Sequence, residues 1–184
     1  MRPIPYFTVS LLAAAVLTFV WQMMDPSLAG KGAVISEAVR GGEWYRIGTG
    51  ALLHGGSLHL LANAYFAWGI GSYLESQIGS MRLIVISLAA MLGSGLSIVA
   101  MGSNAVGLSG VLYGWLASWF AFHLTSGFPG LTLSGPRLRA YLQLLGMNLL
   151  ISLLPGISLL AHAGGFVGGF LAALVLGLIR SKER

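Results

Sequence analysis

Two glycine-containing motifs carry the residue types that nucleophilic catalysis requires. In the first, Ser109 follows Gly107 and precedes Gly110, where a glycine-rich loop gives way to an apolar stretch. In the second, His162 stands near the start of a later apolar stretch and is followed by Gly165. A serine hydroxyl attacks a carbonyl at neutral pH when a neighbouring base accepts its proton. The motifs therefore predict such chemistry if the fold brings them together.

Each motif continues into a stripe of small residues along one helix face. Glycines recur at every fourth position, as Gly110 and Gly114 beside the serine and as Gly165 and Gly169 beyond the histidine. Such stripes let two helix backbones approach closely, so we expect the hydroxyl and the imidazole to meet. The simpler interpretations are a serine that caps a helix, and a histidine that bonds a carbonyl while the glycines serve packing.

A third polar group lies on an earlier apolar stretch. His59 and Asn63 are four residues apart and therefore share one helix face, and His54 lies just before them. The Asn63 amide is a suitable donor to an oxyanion. Three histidines are also compatible with a metal site. No carboxylate or cysteine accompanies them, however, so we expect no metal ion.

A catalytic triad would need an acid beside His162, and the sequence offers none. Glu75 and Glu183 come after the apolar stretches that begin near His59 and His162, and thus lie at the far end of each stretch from these histidines. The other acids belong to one long connecting segment. We therefore expect a Ser–His dyad. Tyr113, one helical turn after Ser109, faces the same way and is placed to stack on the imidazole, although its spacing fits simple packing equally well.

The composition indicates that these residues function in lipid. Of the 184 residues, 56% are hydrophobic and 8% are charged, whereas soluble domains carry about a quarter charged residues. The net charge of +5 is not arranged as basic clusters interleaved with aromatics, so nucleic acid is not an expected partner. The absence of cysteine excludes disulfides, thiolate metal sites and cysteine nucleophiles.

Six apolar stretches predict an all-α membrane protein, folded as one domain over residues 1–184 with six transmembrane helices. Each is near the roughly 20 residues that cross a bilayer, and they cover residues 7–24, 58–74, 83–101, 107–124, 138–154 and 159–179. The second, fourth and fifth are shorter or more polar, so we expect other helices to shield them from lipid. The long segment 25–57 is expected to be a structured loop in the outer headgroup layer.

The basic residues predict the orientation of this bundle. With the N-terminus inside, seven are cytoplasmic (Arg2, Arg82, Arg137, Arg139, Arg180, Lys182 and Arg184) and three are outside (Lys31, Arg40 and Arg46). The positive-inside rule then predicts that both termini are cytoplasmic. The second, fourth and sixth stretches run inward, so the polar residues near their starts share one depth below the outer surface.

Taken together, these residues resemble the signature of rhomboid intramembrane serine proteases. The positions that match in order and spacing are Trp44, Tyr45, Arg46, His54, His59, Asn63, Glu75, Gly107, Ser109, Gly110, Tyr113, His162, Gly165 and Gly169. The match covers nearly the whole chain. It is similar to the basic six-helix bacterial form, without the cytoplasmic domain that some relatives carry.

The resemblance implies an activity, a site and a location. Ser109 would be the nucleophile and His162 the general base, while His59, Asn63 and the backbone N–H of Ser109 would form the oxyanion hole. The substrates would be transmembrane proteins, cleaved in or near their membrane-spanning segments in the bacterial inner membrane without a cofactor. Glu75 matches a structural position.

Two other functions fit parts of the sequence. A rhombosortase-like enzyme would process the C-terminal anchors of exported proteins with the same residues. A membrane scaffold or transporter would use its polar residues to hold helices together or to line a path. A path requires polar groups at several depths, whereas here they gather at one.

Overall fold

The computed structural model describes residues 4–154 and 156–182 and consists mainly of α-helices, as the apolar stretches predict. Arg2, Glu183 and Arg184 lie outside the described residues. Residues Ala67–Gly71 form a π-helical turn, and Pro129–Leu131 form a 3₁₀ turn. The α-helices are α1 (Tyr6–Met24), α2 (Ser27–Gly32), α3 (Ser36–Arg40), α4 (Arg46–Leu52), α5 (Ser57–Phe66), α6 (Ser72–Ile78), α7 (Ser80–Ala100), α8 (Ser109–Thr125), α9 (Gly135–Ser152) and α10 (Leu159–Lys182).

Three helices in the described part of the chain are long and apolar enough to cross a membrane, namely α1, α7 and α10. The prediction that other helices shield α8 is confirmed, because most of α8 is buried. The same prediction is wrong for α9, of which Tyr141 and Ser152 are the buried residues. The reason is that α9 lacks the paired glycines that let α8 and α10 approach their neighbours closely.

The segment between α1 and α5 is ordered by short helices and by one strand pair. Strand β1 (Val34–Ile35) runs antiparallel to β2 (Asn104–Ala105), which lies in the loop before α8. The Ser36 N–H also donates to the Asn104 side-chain oxygen at 3.1 Å. This pairing fixes the loop that leads into Ser109 against a distant part of the chain.

The predicted glycine seam joins α8 to α10. A methyl group added at Gly165 would lie 2.7 Å from the carbonyl carbon of Gly110, and one added at Gly169 would lie 2.6 Å from that of Gly114. Both separations are far inside van der Waals contact, so the backbones meet where no side chain fits. The other side of α10 is equally close to α7, where Gly164 meets Gly93. This second seam was not predicted.

The Gly165→Ala substitution should destabilise the fold because its methyl group meets rigid backbone. Overpacking by one methyl group typically costs about 1–3 kcal/mol, and here no flexible side chain can move aside. We expect a lower melting temperature in detergent micelles than for the native chain. Gly146→Ala on α9 is the matched control, since a methyl group there meets nothing within 4 Å. Equal melting temperatures for the two variants would contradict the close seam.

Candidate active site

Ser109 and His162 are in hydrogen-bond contact although they are 53 residues apart in the chain. The Ser109 Oγ lies 2.7 Å from the His162 Nε2. The histidine is 4% exposed, whereas the serine remains partly accessible. At this distance the imidazole can accept the hydroxyl proton while the hydroxyl still reaches an incoming group.

The start of α8 leaves the Ser109 side chain available for this contact. Leu108 occupies the N-cap position, and the helix has no side-chain cap. Before it, Gly107 has a φ of 123°, a conformation that favours glycine. Its N–H donates to the Gly50 carbonyl at 2.9 Å. Ser109 is therefore the first residue of α8 and not its cap, so its hydroxyl is available for the contact with His162.

Tyr113 covers one face of the His162 imidazole. The two ring centroids are 4.1 Å apart, and the rings are within 8° of parallel. The tyrosine hydroxyl donates to the backbone carbonyl of Asn148 on α9. The stacking predicted from sequence is therefore present, and it restricts rotation of the imidazole.

His59 and Asn63 present hydrogen-bond donors beside the loop that precedes Ser109. The Gly55 N–H donates to the His59 Nδ1 at 3.3 Å, so Nε2 carries the ring proton. The Asn63 Nδ2 is buried and has no hydrogen-bond partner among the described residues. A methyl group at Gly107 would lie 2.9 Å from the His59 Nε2 and 3.7 Å from the Asn63 Nδ2. Both donors thus lie next to Gly107, two residues before Ser109.

His54 supports the start of α5. Its backbone N–H donates to the Gln22 side-chain oxygen at 2.9 Å, and its ring packs edge-on against His59 with centroids 5.1 Å apart. Burial, with a smaller contribution from nearby His59, lowers the pKa of His54 to about 4. The ring is therefore neutral at pH 7 and places no charge beside the site.

Arg46 and Trp44 belong to the connecting segment, and the hydrogen bonds of Arg46 are to residues of that same segment. The Arg46 guanidinium pairs with Glu43 at 2.7 Å and donates to the Gly30 carbonyl at 2.8 Å, while Trp44 is an exposed surface residue. Hydrogen bonds from Tyr45 and Arg46 hold the pKa of Glu43 below its usual range. Arg46 therefore links two parts of the connecting segment, at Gly30 and at Glu43, to each other.

Glu75 lies at the other end of the helices and ties α1 to α6 and α7. Its carboxylate accepts hydrogen bonds from the N–H groups of Phe7 and Thr8 at 2.8 and 2.9 Å. The hydroxyls of Thr8 and Ser80 also donate to it, at 2.7 and 2.6 Å. These four bonds satisfy a carboxylate that is 5% exposed, so its position is structural.

Ser152, which sequence reasoning did not select, touches the second nitrogen of His162. Its Oγ lies 2.7 Å from the His162 Nδ1 and is also bonded to the Tyr113 hydroxyl. The available signal was weak: Asn148 and Ser152 are polar residues four apart on an apolar helix, hence on one face. Nothing in the sequence shows which helix that face meets.

The fold and the site together define a multi-pass α-helical membrane protein in which a hydroxyl and an imidazole meet between two helices. The family model described as Rhomboid domain matches residues 41–179, which span α4 to α10 and include the whole site. The chain belongs to the rhomboid family.

Several curated relatives extend this similarity. The chain is 29% identical to rhomboid protease GluP of Bacillus subtilis (strain 168), over 95% of this chain and 35% of the relative. It is 32% identical to RHOMBOID-like protein 5 of Arabidopsis thaliana, over 82% of this chain and 50% of the relative. It is 34% identical to RHOMBOID-like protein 4 of the same plant, over 81% and 38%. The chain thus spans between a third and a half of the length of these relatives.

Proposed function

We propose that this chain is an intramembrane serine protease that hydrolyses peptide bonds in or near the transmembrane segments of membrane proteins. The observation that carries the proposal is the 2.7 Å contact between the Ser109 Oγ and the His162 Nε2, within helices that belong to a rhomboid domain. Similarity to a relative named rhomboid protease supports the same activity.

In the first half of the proposed reaction, the Ser109 Oγ attacks the peptide carbonyl carbon. The His162 Nε2 accepts the hydroxyl proton, and the carbonyl oxygen becomes an oxyanion. The Asn63 amide, the His59 Nε2–H and the Ser109 backbone N–H are the proposed donors to that oxygen. The unpartnered Asn63 Nδ2 supports this role, since a buried donor without a partner is costly unless a ligand uses it.

In the second half, the tetrahedral intermediate collapses and the peptide C–N bond breaks. His162 gives its proton to the departing amine, which leaves an ester on Ser109. A water molecule then attacks this ester while His162 accepts a proton from it. The ester C–O bond breaks, His162 returns the proton to the Ser109 Oγ, and the acyl fragment leaves as a carboxylic acid. The chain's own residues complete the cycle in this mechanism, so it uses no cofactor.

The proposed substrates are transmembrane proteins because the site lies between membrane helices. We infer that α5, α8 and α9 cross the bilayer together with the three longer helices. A helical segment hides its carbonyls in internal hydrogen bonds, so it must unwind before Ser109 can attack. We therefore expect glycine, proline or other helix-weakening residues near the cut.

A direct test is incubation of the purified chain with a tagged protein that has one transmembrane segment. We expect two fragments, with mass spectrometry locating the cut in or beside that segment. A scaffold or transporter would leave the substrate intact. A rhombosortase-like enzyme would cut only substrates whose transmembrane segment is a C-terminal anchor, so both arrangements of the substrate should be compared.

We infer an inner-membrane location, and the excess of Lys and Arg on one side supports an orientation with both termini in the cytoplasm. Alkaline phosphatase, which is active only after export, should be inactive when fused after Arg184. The same enzyme inserted between Gly41 and Gly42, in the segment between α1 and α5, should be active. The reverse pattern would overturn the orientation and the placement of the site near the outer surface.

A further inference from the structure

The His162 imidazole has two ring nitrogens, and the proposed mechanism uses only one of them. Its Nε2 faces Ser109, while its Nδ1 faces Ser152 of α9 at 2.7 Å. No acidic residue takes part in this second contact, and Ser152 is 3% exposed. A buried hydroxyl therefore stands at the position where a triad has its carboxylate.

The surrounding contacts determine which way the Ser152 hydroxyl points. Its Oγ lies 2.9 Å from the carbonyl oxygen of Asn148, one turn earlier on α9. The Tyr113 hydroxyl lies against both of these oxygens and donates to Asn148, so these three oxygens share two protons, those of Tyr113 and Ser152. Both protons are used in the contacts among these oxygens, so the Ser152 Oγ presents a lone pair to the His162 ring.

This arrangement assigns the proton of a neutral His162. With the Ser152 Oγ acting as acceptor, the His162 Nδ1 must carry the ring hydrogen. The Nε2 is then unprotonated and can accept the Ser109 proton, which is the form that a general base requires. The opposite tautomer would put a hydrogen on Nε2, facing the nucleophile, and would leave Nδ1 with no donor directed at it.

We propose that Ser152 is a positioning residue that holds His162 in the tautomer and orientation needed to deprotonate Ser109. This inference rests on the proposed serine-protease function. Ser152 acts through His162 and does not touch the reacting atoms. It performs the orienting part of a triad acid's role without supplying a negative charge, and Tyr113 fixes the same ring from its face.

The contact also connects α9 to the site. Of the residues of α9, Tyr141 and Ser152 are buried, so much of the helix lies on the outside of the bundle. The Tyr113 hydroxyl reaches the same turn of α9, at the Asn148 carbonyl. The orientation of the general base thus depends on where this one turn of α9 lies.

Kinetics of Ser152→Ala and Ser152→Thr, measured on the transmembrane test substrate, test the proposal. We expect Ser152→Ala to lower kcat about tenfold at unchanged KM, the effect of losing one neutral hydrogen bond of about 1.4 kcal/mol. Ser152→Thr keeps the hydroxyl and should recover most of kcat. Ser118→Ala is the matched control, because Ser118 is also buried and bonds a carbonyl of its own helix, that of Trp115 at 2.7 Å.

A spectroscopic measurement on the native chain makes the test independent of how well the variants fold. In ¹⁵N-histidine NMR, the resonances lost in His162→Ala identify His162. We expect a protonated Nδ1 and an unprotonated Nε2 for that ring. A protonated Nε2 would overturn the proposal. So would a kcat of Ser152→Ala within twofold of the native value. In either case the protease function would stand, provided that Ser109→Ala remains inactive.

Discussion

Replacing Ser109 by alanine should abolish cleavage of a transmembrane substrate, and replacing His162 by alanine should do the same. Each change removes one partner of the 2.7 Å contact, and neither partner can perform the first step alone. Because the two residues act as a unit, the double variant should be no worse than either single one. We expect a loss of at least about 10³-fold in each case, from the size of dyad effects in serine hydrolases.

Melting temperatures show whether a variant has lost activity because it lacks a catalytic group or because it is unfolded. Ser109→Ala removes a partly accessible hydroxyl, so its melting temperature in micelles should match that of the native chain. Ser118→Ala removes a fully buried hydroxyl deeper in the same helix and should keep its activity. Near-native turnover by folded Ser109→Ala would end the serine-protease assignment.

Asn63→Ala should lower kcat by about 10²–10³ with little change in KM, because an oxyanion donor acts mainly in the transition state. The Nδ2 of Asn63 has no partner among the described residues, so its removal should cost little stability. Steady-state kinetics on the test substrate, together with melting curves, check both expectations.

The Asn63→Asp variant sharpens this test, since it keeps the side-chain shape and replaces the donor with an acceptor. It should be impaired at least as strongly as Asn63→Ala, because a carboxylate repels a developing oxyanion. An effect confined to KM, or full activity in the aspartate variant, would show that Asn63 serves packing or substrate binding.

Much of this architecture follows from the sequence because hydropathy and glycine spacing are local signals. Apolar stretches of sufficient length must be helical in lipid, since backbone groups there need internal partners. Paired glycines at every fourth residue predicted the approach of α8 to α10, and that approach brings Ser109 to His162. His59 and Asn63 were selected as candidates because a polar pair on one apolar face is unusual.

The remaining features depend on contacts that no local pattern encodes. A serine within a helix commonly bonds the carbonyl four residues earlier, and Ser152 does so with Asn148 at 2.9 Å. This common hydrogen bond does not indicate that the Ser152 Oγ also contacts His162. The exposure of α9 was also mispredicted, because a moderately polar helix can lie inside a bundle or along its edge. The two-residue strands are too short to carry an alternating pattern.

The most direct test of the central claim is labelling of the purified chain with a fluorophosphonate, which reacts with serines activated by a neighbouring base. Peptide mass spectrometry should find one adduct, on Ser109, in the native chain and in Ser118→Ala. His162→Ala should give no adduct, since its Ser109 has no base to accept the proton. An unlabelled native chain, or equal labelling of Ser109 with and without His162, would contradict a catalytic pair.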